Sequence, residues 1–358
     1  VQRLRIAHPN GTAADSIAGF LRQPRQTEVE CANALSAMHQ WTRHGDREDS
    51  RSLRIEMNRD SRAIEVSKVT KRFGDVEAAK DVSFEVESGE IFGLIGPNGA
   101  GKTTIIRMLM EIIKPDSGDV RILGEPLKES TKNRIGYLPE ERGLYKKLTV
   151  IDTLSYLSSL KGTSGSATRQ RATTLLETTG MLPHQHKKVE ELSKGMAQLI
   201  QFVATILHDP ELVILDEPFY GLDPVNTRML KDMVSELRKQ GKTIILSTHM
   251  MNEVEELCDR ILMIDKGRSV LYGDWSEIKT RYRTDSVFIS IDGELGPIGG
   301  GVSTKNHGTH YELLLDGKTS PQRVLAGLVN RNVTVNRFEV ASPPLSEIFI
   351  RVVRGRTE

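Results

Sequence analysis

The residues whose types and spacing point most directly to chemistry are Gly96-Pro97-Asn98-Gly99-Ala100-Gly101-Lys102-Thr103-Thr104. The pattern G-x-x-x-x-G-K-T lets a glycine-rich turn aim successive backbone N–H groups at a phosphate chain. An apolar run, Ile91 to Ile95, precedes it and reads as a buried strand; the amphipathic run Ile105 to Ile113 follows and reads as a helix. A helix N-terminus adds partial positive charge beside the phosphates. In this setting Lys102 is placed to reach the β- and γ-phosphates, and the Thr103 hydroxyl to ligate Mg²⁺. The plainer alternative is a structural turn between strand and helix, which requires neither the Lys-Thr pair nor three glycines.

A second group lies far along the chain. Leu212-Val213-Ile214-Leu215 is an apolar strand ending in Asp216-Glu217-Pro218, and Thr243 to Ser247 is another, ending at Thr248-His249. An aspartate at a strand end near a phosphate loop suits Mg²⁺, and Glu217 is the better candidate to polarise an attacking water. Apolar strands alternating with helices predict an α/β fold with a mostly parallel sheet. In such sheets ligands bind at the carboxyl ends of the strands. The loop at 96, the carboxylates at 216–217 and His249 all fall there.

The elements around these groups read as follows. Strands over Ile64–Val69 and Val82–Val86 predict a small antiparallel β-subdomain, with Phe73 beside the base of a nucleotide. From Thr149 to Leu192 the apolar spacing turns helical, interrupted by Gly162-Thr163-Ser164-Gly165-Ser166, and predicts a helical insertion over about 140–195. Leu192-Ser193-Lys194-Gly195-Met196 opens an apolar helix through Ile206, and Gly221-Leu222-Asp223 precedes another from about Thr227 to Gln240. The α/β domain is expected to span 63–275. Residues 285–358 read as strand, strand, helix, strand, helix, a small α+β accessory domain with a ferredoxin-like arrangement as one option.

With 27% charged residues and a net charge of +1, the composition offers no global basic field for nucleic acid. No apolar run approaches a membrane span. The two cysteines, Cys31 and Cys258, make no metal spacing and read as reduced thiols of a cytosolic protein. Residues 1–62 differ from the rest: the first 56 contain Arg but no Lys, and Thr42 to Arg62 is dominated by charged and polar residues. They read as a disordered extension, with Met57 as a candidate natural start.

Taken together, the phosphate loop, Leu192-Ser193-Lys194-Gly195-Met196, Leu215-Asp216-Glu217-Pro218, Gly221-Leu222-Asp223 and His249 resemble the ATP-binding subunit of an ABC transporter, in order and approximate spacing, across about 63–275. The stretch Tyr137 to Tyr145 and the C-terminal extension look most like the NatA-type exporter branch. The resemblance implies a P-loop NTPase fold, ATP and Mg²⁺ as ligands, and a homodimer that closes on ATP. It further implies an integral-membrane permease partner and a place on the cytoplasmic face of the membrane through that partner. Residue by residue, it implies that Gly96 to Thr104 hold phosphate, Phe73 stacks on adenine, and Thr103 and Asp216 serve Mg²⁺. Glu217, Lys102 and His249 become the catalytic set, and Ser193 and Gly195 face the γ-phosphate held by the second copy. Two positions depart from the family pattern. Met196 replaces the usual Gln and cannot hydrogen-bond like it. Glu140 stands where Gln usually touches Mg²⁺, and is expected to keep a metal-sensing role with added negative charge.

The leading expectation is therefore an ATP-hydrolysing subunit that powers a membrane transporter, an exporter by its branch. The alternative is a soluble ATPase of the same fold acting in translation or DNA repair; such chains carry fused copies, coiled-coil arms or zinc insertions, none of which is written here. A non-enzymatic nucleotide-dependent regulator is a third reading, against which Lys102, Asp216, Glu217 and His249 stand together.

Overall fold

The computed structural model describes residues 62–141, 143–282, 286–293, 295–296, 302–316, 318–340 and 343–354. Residues 1–61 of the expected N-terminal extension, Met57 among them, lie outside the described residues, and Arg62 already belongs to the first strand.

Three sheets organise the chain. Strands β1 (Arg62–Phe73), β2 (Val76–Glu87) and β4 (Ser117–Ile122) form an antiparallel sheet in the order β2-β1-β4. Strands β3 (Ile91–Ile95), β5 (Ile135–Leu138), β6 (Leu212–Asp216), β7 (Thr243–Thr248), β8 (Arg260–Asp265) and β9 (Arg268–Asp274) form a six-stranded sheet in the order β5-β6-β7-β3-β8-β9. Only the β8–β9 pair is antiparallel. The parallel strands are buried on both faces, which is why they read as unbroken apolar runs. Their alternate residues divide between two cores. Phe92, Leu94, Leu212, Ile214 and Ile245 face the β-subdomain and helix α1 (Lys102–Leu109). Ile91, Ile95, Val213, Leu215, Ile244 and Leu246 face the opposite layer.

Helix α1 is shorter than its apolar spacing predicts. It ends at Leu109 rather than Ile113, because Glu111 turns into the left-handed region at φ 56°. A short helix, α2 (Glu129–Lys132), leads into β5. The insertion consists of α3 (Val150–Leu160) and α4 (Ser166–Thr178), followed by two short 3₁₀ turns. Thr149 caps α3 by accepting the Asp152 N–H. Leu154, Leu175 and Leu176 bury against helix α5 (Lys194–Ile206), so the insertion shares its core with the main domain.

Helix α6 (Pro224–Lys239) starts earlier than expected, since the Asp223 carboxylate accepts the N–H groups of Val225 and Asn226. Beyond it lie α7 (Met251–Leu257) and α8 (Trp275–Arg281). The C-terminal sheet contains β10 (Ser286–Ile291), β11 (Ser303–Asn306), β12 (Tyr311–Leu314) and β13 (Val335–Val340), in the order β11-β12-β10-β13. All its pairs are antiparallel. With α9 (Pro321–Asn330) and α10 (Leu345–Arg354) the succession is βββαβα, which corrects the ferredoxin-like option, a βαββαβ succession. Strand β11 is one strand more than the two expected ahead of the first helix of this domain. Helix α10 leaves its own sheet: Leu345 and Ile348 bury in the main core, and the Leu345 N–H donates to Glu255 at 2.7 Å.

Glu90, in the turn that launches β3, is buried beside Arg260 and pushed up to about 7, first because burial penalises the charged form. Its folded pKa lies above its unfolded one. The protonated group therefore suits the fold below about pH 4.5, and stability is lost as pH rises through about 7. Glu90→Gln should leave urea stability unchanged at pH 4.5. At pH 8 it should raise stability by about 1–3 kcal/mol, the upper end being the full linkage value before the Arg260 pairing is lost. Equal pH slopes for the two proteins would contradict this.

Candidate active site

Register brings the sequence-distant groups together. Strands β6, β7 and β3 are neighbours, with Asp216 opposite Ser247 and Thr248 opposite Ile95. The loop after β3, the carboxylates after β6 and the histidine after β7 thus emerge side by side. The loop itself is tightly enclosed. Gly101 has φ 110°, and a Cβ placed there would stand 2.2 Å from the Ala78 carbonyl oxygen of β2. Gly96 would meet the Ile264 carbonyl of β8 at the same distance. Side chains are excluded at both positions, so the turn packs backbone to backbone against β2 and β8. Gly101 caps α1 without a side-chain hydrogen bond, leaving the first-turn N–H groups to an anion.

Lys102 is buried in this loop. Its Nζ donates to the carbonyls of Gly96 at 2.9 Å and Pro97 at 3.3 Å, and lies 3.5 Å from Glu217 Oε1. Glu217 is itself buried, in the left-handed region at φ 50°, a conformation that costs a non-glycine residue about 1–2 kcal/mol. Strain of this kind gathers at functional sites when the surroundings enforce it. Here the enforcement is explicit. The Glu217 N–H donates to the Ser247 carbonyl at 2.9 Å. Glu217 Oε1 accepts the His249 N–H at 3.1 Å and lies 2.9 Å from His249 Nδ1. Glu217 Oε2 accepts the Thr248 hydroxyl at 3.2 Å. Thr248 is a residue that sequence reasoning missed, although it stands beside His249.

Asp216 ends β6 with no solvent exposure. Among the described residues neither of its carboxylate oxygens makes a hydrogen bond of normal geometry. Burial raises its pKa above the ordinary aspartate value, while the nearby Ser247 and Thr103 hydroxyls pull the other way. A buried, unpartnered carboxylate next to the Thr103 hydroxyl is the donor set a hard cation takes. Among the described residues no group of three His, Cys, Asp or Glu side chains could hold a metal alone. Thr103 and Asp216 would hold Mg²⁺, and it would neutralise phosphate charge there.

The remaining predicted residues are spread around this centre. Phe73 is half exposed at the β1–β2 hairpin, paired with Val76, and the Lys71 ammonium lies 5.7 Å from its ring centroid. That hairpin abuts the phosphate loop through Ala78, and the Gly267 N–H donates to the Ala100 carbonyl at 2.9 Å. Glu140 is exposed, and its charge contributes to the raised pKa of Asp216. Ser193 is exposed and caps α5, its hydroxyl accepting the Met196 N–H at 3.2 Å. The Met196 side chain packs against the main core, an apolar role open to Met and not to Gln. Two further residues escaped notice in the sequence. Gln198 donates to the Pro218 carbonyl at 3.1 Å, and Gln201 to the Pro139 carbonyl at 3.3 Å. Their signal was a pair of polar residues three apart in an otherwise apolar helix. They tie the helix behind Ser193 to both the Glu217 turn and the Glu140 loop.

A glycine cradle at a helix start, a metal-suited aspartate and a strained, donor-bound glutamate beside a histidine define a phosphate-loop ATPase. Comparison with known proteins narrows this. The family described as ABC transporter matches residues 79–220, and the family described as ATP-binding protein DrrA1-3-like, C-terminal domain, matches 273–353. The chain is 40% identical over 293 residues to the uncharacterized ABC transporter ATP-binding protein YhaQ of Bacillus subtilis, covering 81% of this chain and 98% of that one. It is 38% identical over 214 residues to the Nod factor export ATP-binding protein I of Paraburkholderia xenovorans, covering 59% of this chain and 70% of that one. Among solved structures, an ATP-binding subunit of an ABC transporter superposes with a TM-score of 0.58 at 31% identity, covering 62% of this chain and 93% of that one. The chain belongs to the ABC transporter ATP-binding proteins. It is an ATPase whose hydrolysis powers transport, and subunits of this family dimerise and pair with permease components. Among the described residues no helix is long and apolar enough to cross a membrane.

Proposed function

We propose that this chain is the motor of an exporter, in which two copies close on two ATP molecules and drive a membrane permease from its cytoplasmic face. The observation that carries the reading is the division of the site. Glu217 pairs with both Lys102 and His249, while Ser193, which caps its helix, stands exposed where another copy could reach it. Gly96 to Thr104 hold the phosphates, Phe73 covers the adenine, and Thr103 and Asp216 serve Mg²⁺. Glu217 orients the attacking water, and His249 and Lys102 contact the γ-phosphate. Ser193 and Gly195 of the second copy close the other side. Export is supported by the DrrA-like C-terminal match and by the relative named for Nod factor export; the NatA-type branch rests on the Tyr137–Tyr145 stretch.

Gentle purification from native membranes tests the reading: an integral-membrane protein should co-purify. Recovery of ribosomes or DNA in its place would instead support a soluble ATPase of translation or repair. Glu140 serves as a sensor, since its loop is tethered to the Ser193 helix through Gln201 and its charge reaches Asp216. Glu140→Ala should lower Mg-dependent turnover or its coupling to transport by several-fold, about 1 kcal/mol of differential interaction. Unchanged ATPase and transport in the reconstituted complex would remove Glu140 from the site.

A further inference from the structure

Outside the phosphate site, a buried charged cluster joins α6 to α7. Lys231 and Glu253 are both buried, and their side chains form a direct ion pair. The Lys231 ammonium also meets Glu256 at 2.5 Å, and Arg228, one turn earlier, donates to Glu256 at 3.1 Å. A buried ion pair is weak support for stability, because apolar residues of similar volume often do as well. What it supplies that an apolar contact lacks is a fixed register between two helices. The helices concerned are those that leave the site. α6 is capped by Asp223, in the turn whose Gly221 carbonyl would lie 3.6 Å from a Cβ at Gly195. α7 begins two residues after His249, with Met250 as its N-cap, and its first turn returns to the catalytic glutamate by hydrogen bonds. The Glu253 N–H donates to the Met250 carbonyl at 3.1 Å, the Met250 N–H to the Thr248 hydroxyl at 3.0 Å, and that hydroxyl to Glu217.

We propose that Lys231 and Glu253 are positioning residues for hydrolysis: they lock α6 to α7, so that the turn at Gly221–Asp223, which faces the Ser193 loop, sets the placement of His249 and Glu217. The proposal rests on the reading of Glu217 and His249 as the hydrolytic pair, and neither Lys231 nor Glu253 touches substrate. A small misplacement of catalytic groups can cost up to about 10²-fold in rate. Loosening this lock is expected to lower kcat about tenfold while leaving nucleotide binding to the phosphate loop.

The test uses the full chain, with kcat and KM for Mg-ATP and the unfolding midpoint measured together. Lys231→Met and Glu253→Gln should each lower kcat about tenfold with KM within about twofold, and Lys231→Arg, which keeps the charge and the reach, should retain kcat within about threefold. Glu253→Asp keeps both charges and draws them apart by one methylene. It should lower kcat several-fold with an unchanged unfolding midpoint, and it decides the question if Lys231→Met does not fold. Wild-type kcat in Glu253→Asp, or a loss in the other variants that appears only as a lowered midpoint, makes the pair structural and overturns the proposal. A wild-type chain without Mg-ATPase would instead fail the hydrolytic reading beneath it.

Discussion

Glu217→Gln is expected to lower kcat for Mg-ATP by about 10²–10⁴-fold, the range for removal of a positioned base. The substitution is nearly isosteric. The Gln oxygen can still accept the His249 N–H, and its amide nitrogen can donate to the Thr248 hydroxyl where Oε2 now accepts from it, so the left-handed turn at φ 50° should survive. What disappears is the negative charge beside Lys102 and His249. ATP affinity should therefore hold or improve, because one anion fewer faces the phosphates. If closure on ATP precedes hydrolysis, the variant should accumulate as an ATP-loaded dimer, visible by size-exclusion chromatography with Mg-ATP present and absent without it. Turnover within threefold of wild type would displace Glu217 from the base position.

Lys102→Met should act on binding instead. In the structure the ammonium sits on two loop carbonyls and 3.5 Å from Glu217, at the start of the helix whose first-turn amides would meet the phosphates. A hydrogen bond to a charged group contributes about 1.5–3 kcal/mol, so losing it should weaken ATP binding by roughly 10- to 150-fold. Equilibrium titration with a fluorescent nucleotide measures this. Folding should change little, because Glu217 keeps its Thr248 and His249 donors when the lysine is removed. An unchanged dissociation constant would show that the loop amides alone carry the phosphates. A variant that binds weakly only because it is unfolded is identified by its circular dichroism.

Much of the site was legible because its pieces are local. The phosphate loop announces itself by three closely spaced glycines, with a lysine and threonine opening the next helix. Asp216 announces itself as a carboxylate ending a run of four apolar residues, and His249 as a histidine just past the strand read over Thr243 to Ser247. What was illegible depended on partners remote in the chain. Gln198 and Gln201 look like ordinary polar interruptions until the 139–141 and 217–218 turns are folded against them. The end of α1 at Leu109 depends on a single left-handed residue, Glu111, whose composition carries no turn signal.

The sequence by itself determined the phosphate-loop chemistry, the alternation of strands and helices, and the carboxyl-end placement of the reactive groups. These follow from periodicity and turn residues, which act over a few positions. The tertiary structure alone decided the strand order that puts β3 beside β7 and β7 beside β6, and so the meeting of Lys102, Glu217 and His249. It alone decided that α10 leaves its own sheet to bury Leu345 and Ile348 in the main core. The physical reason is the same in both cases. Each apolar strand or stripe specifies that it must be covered, and only long-range packing selects which neighbour covers it.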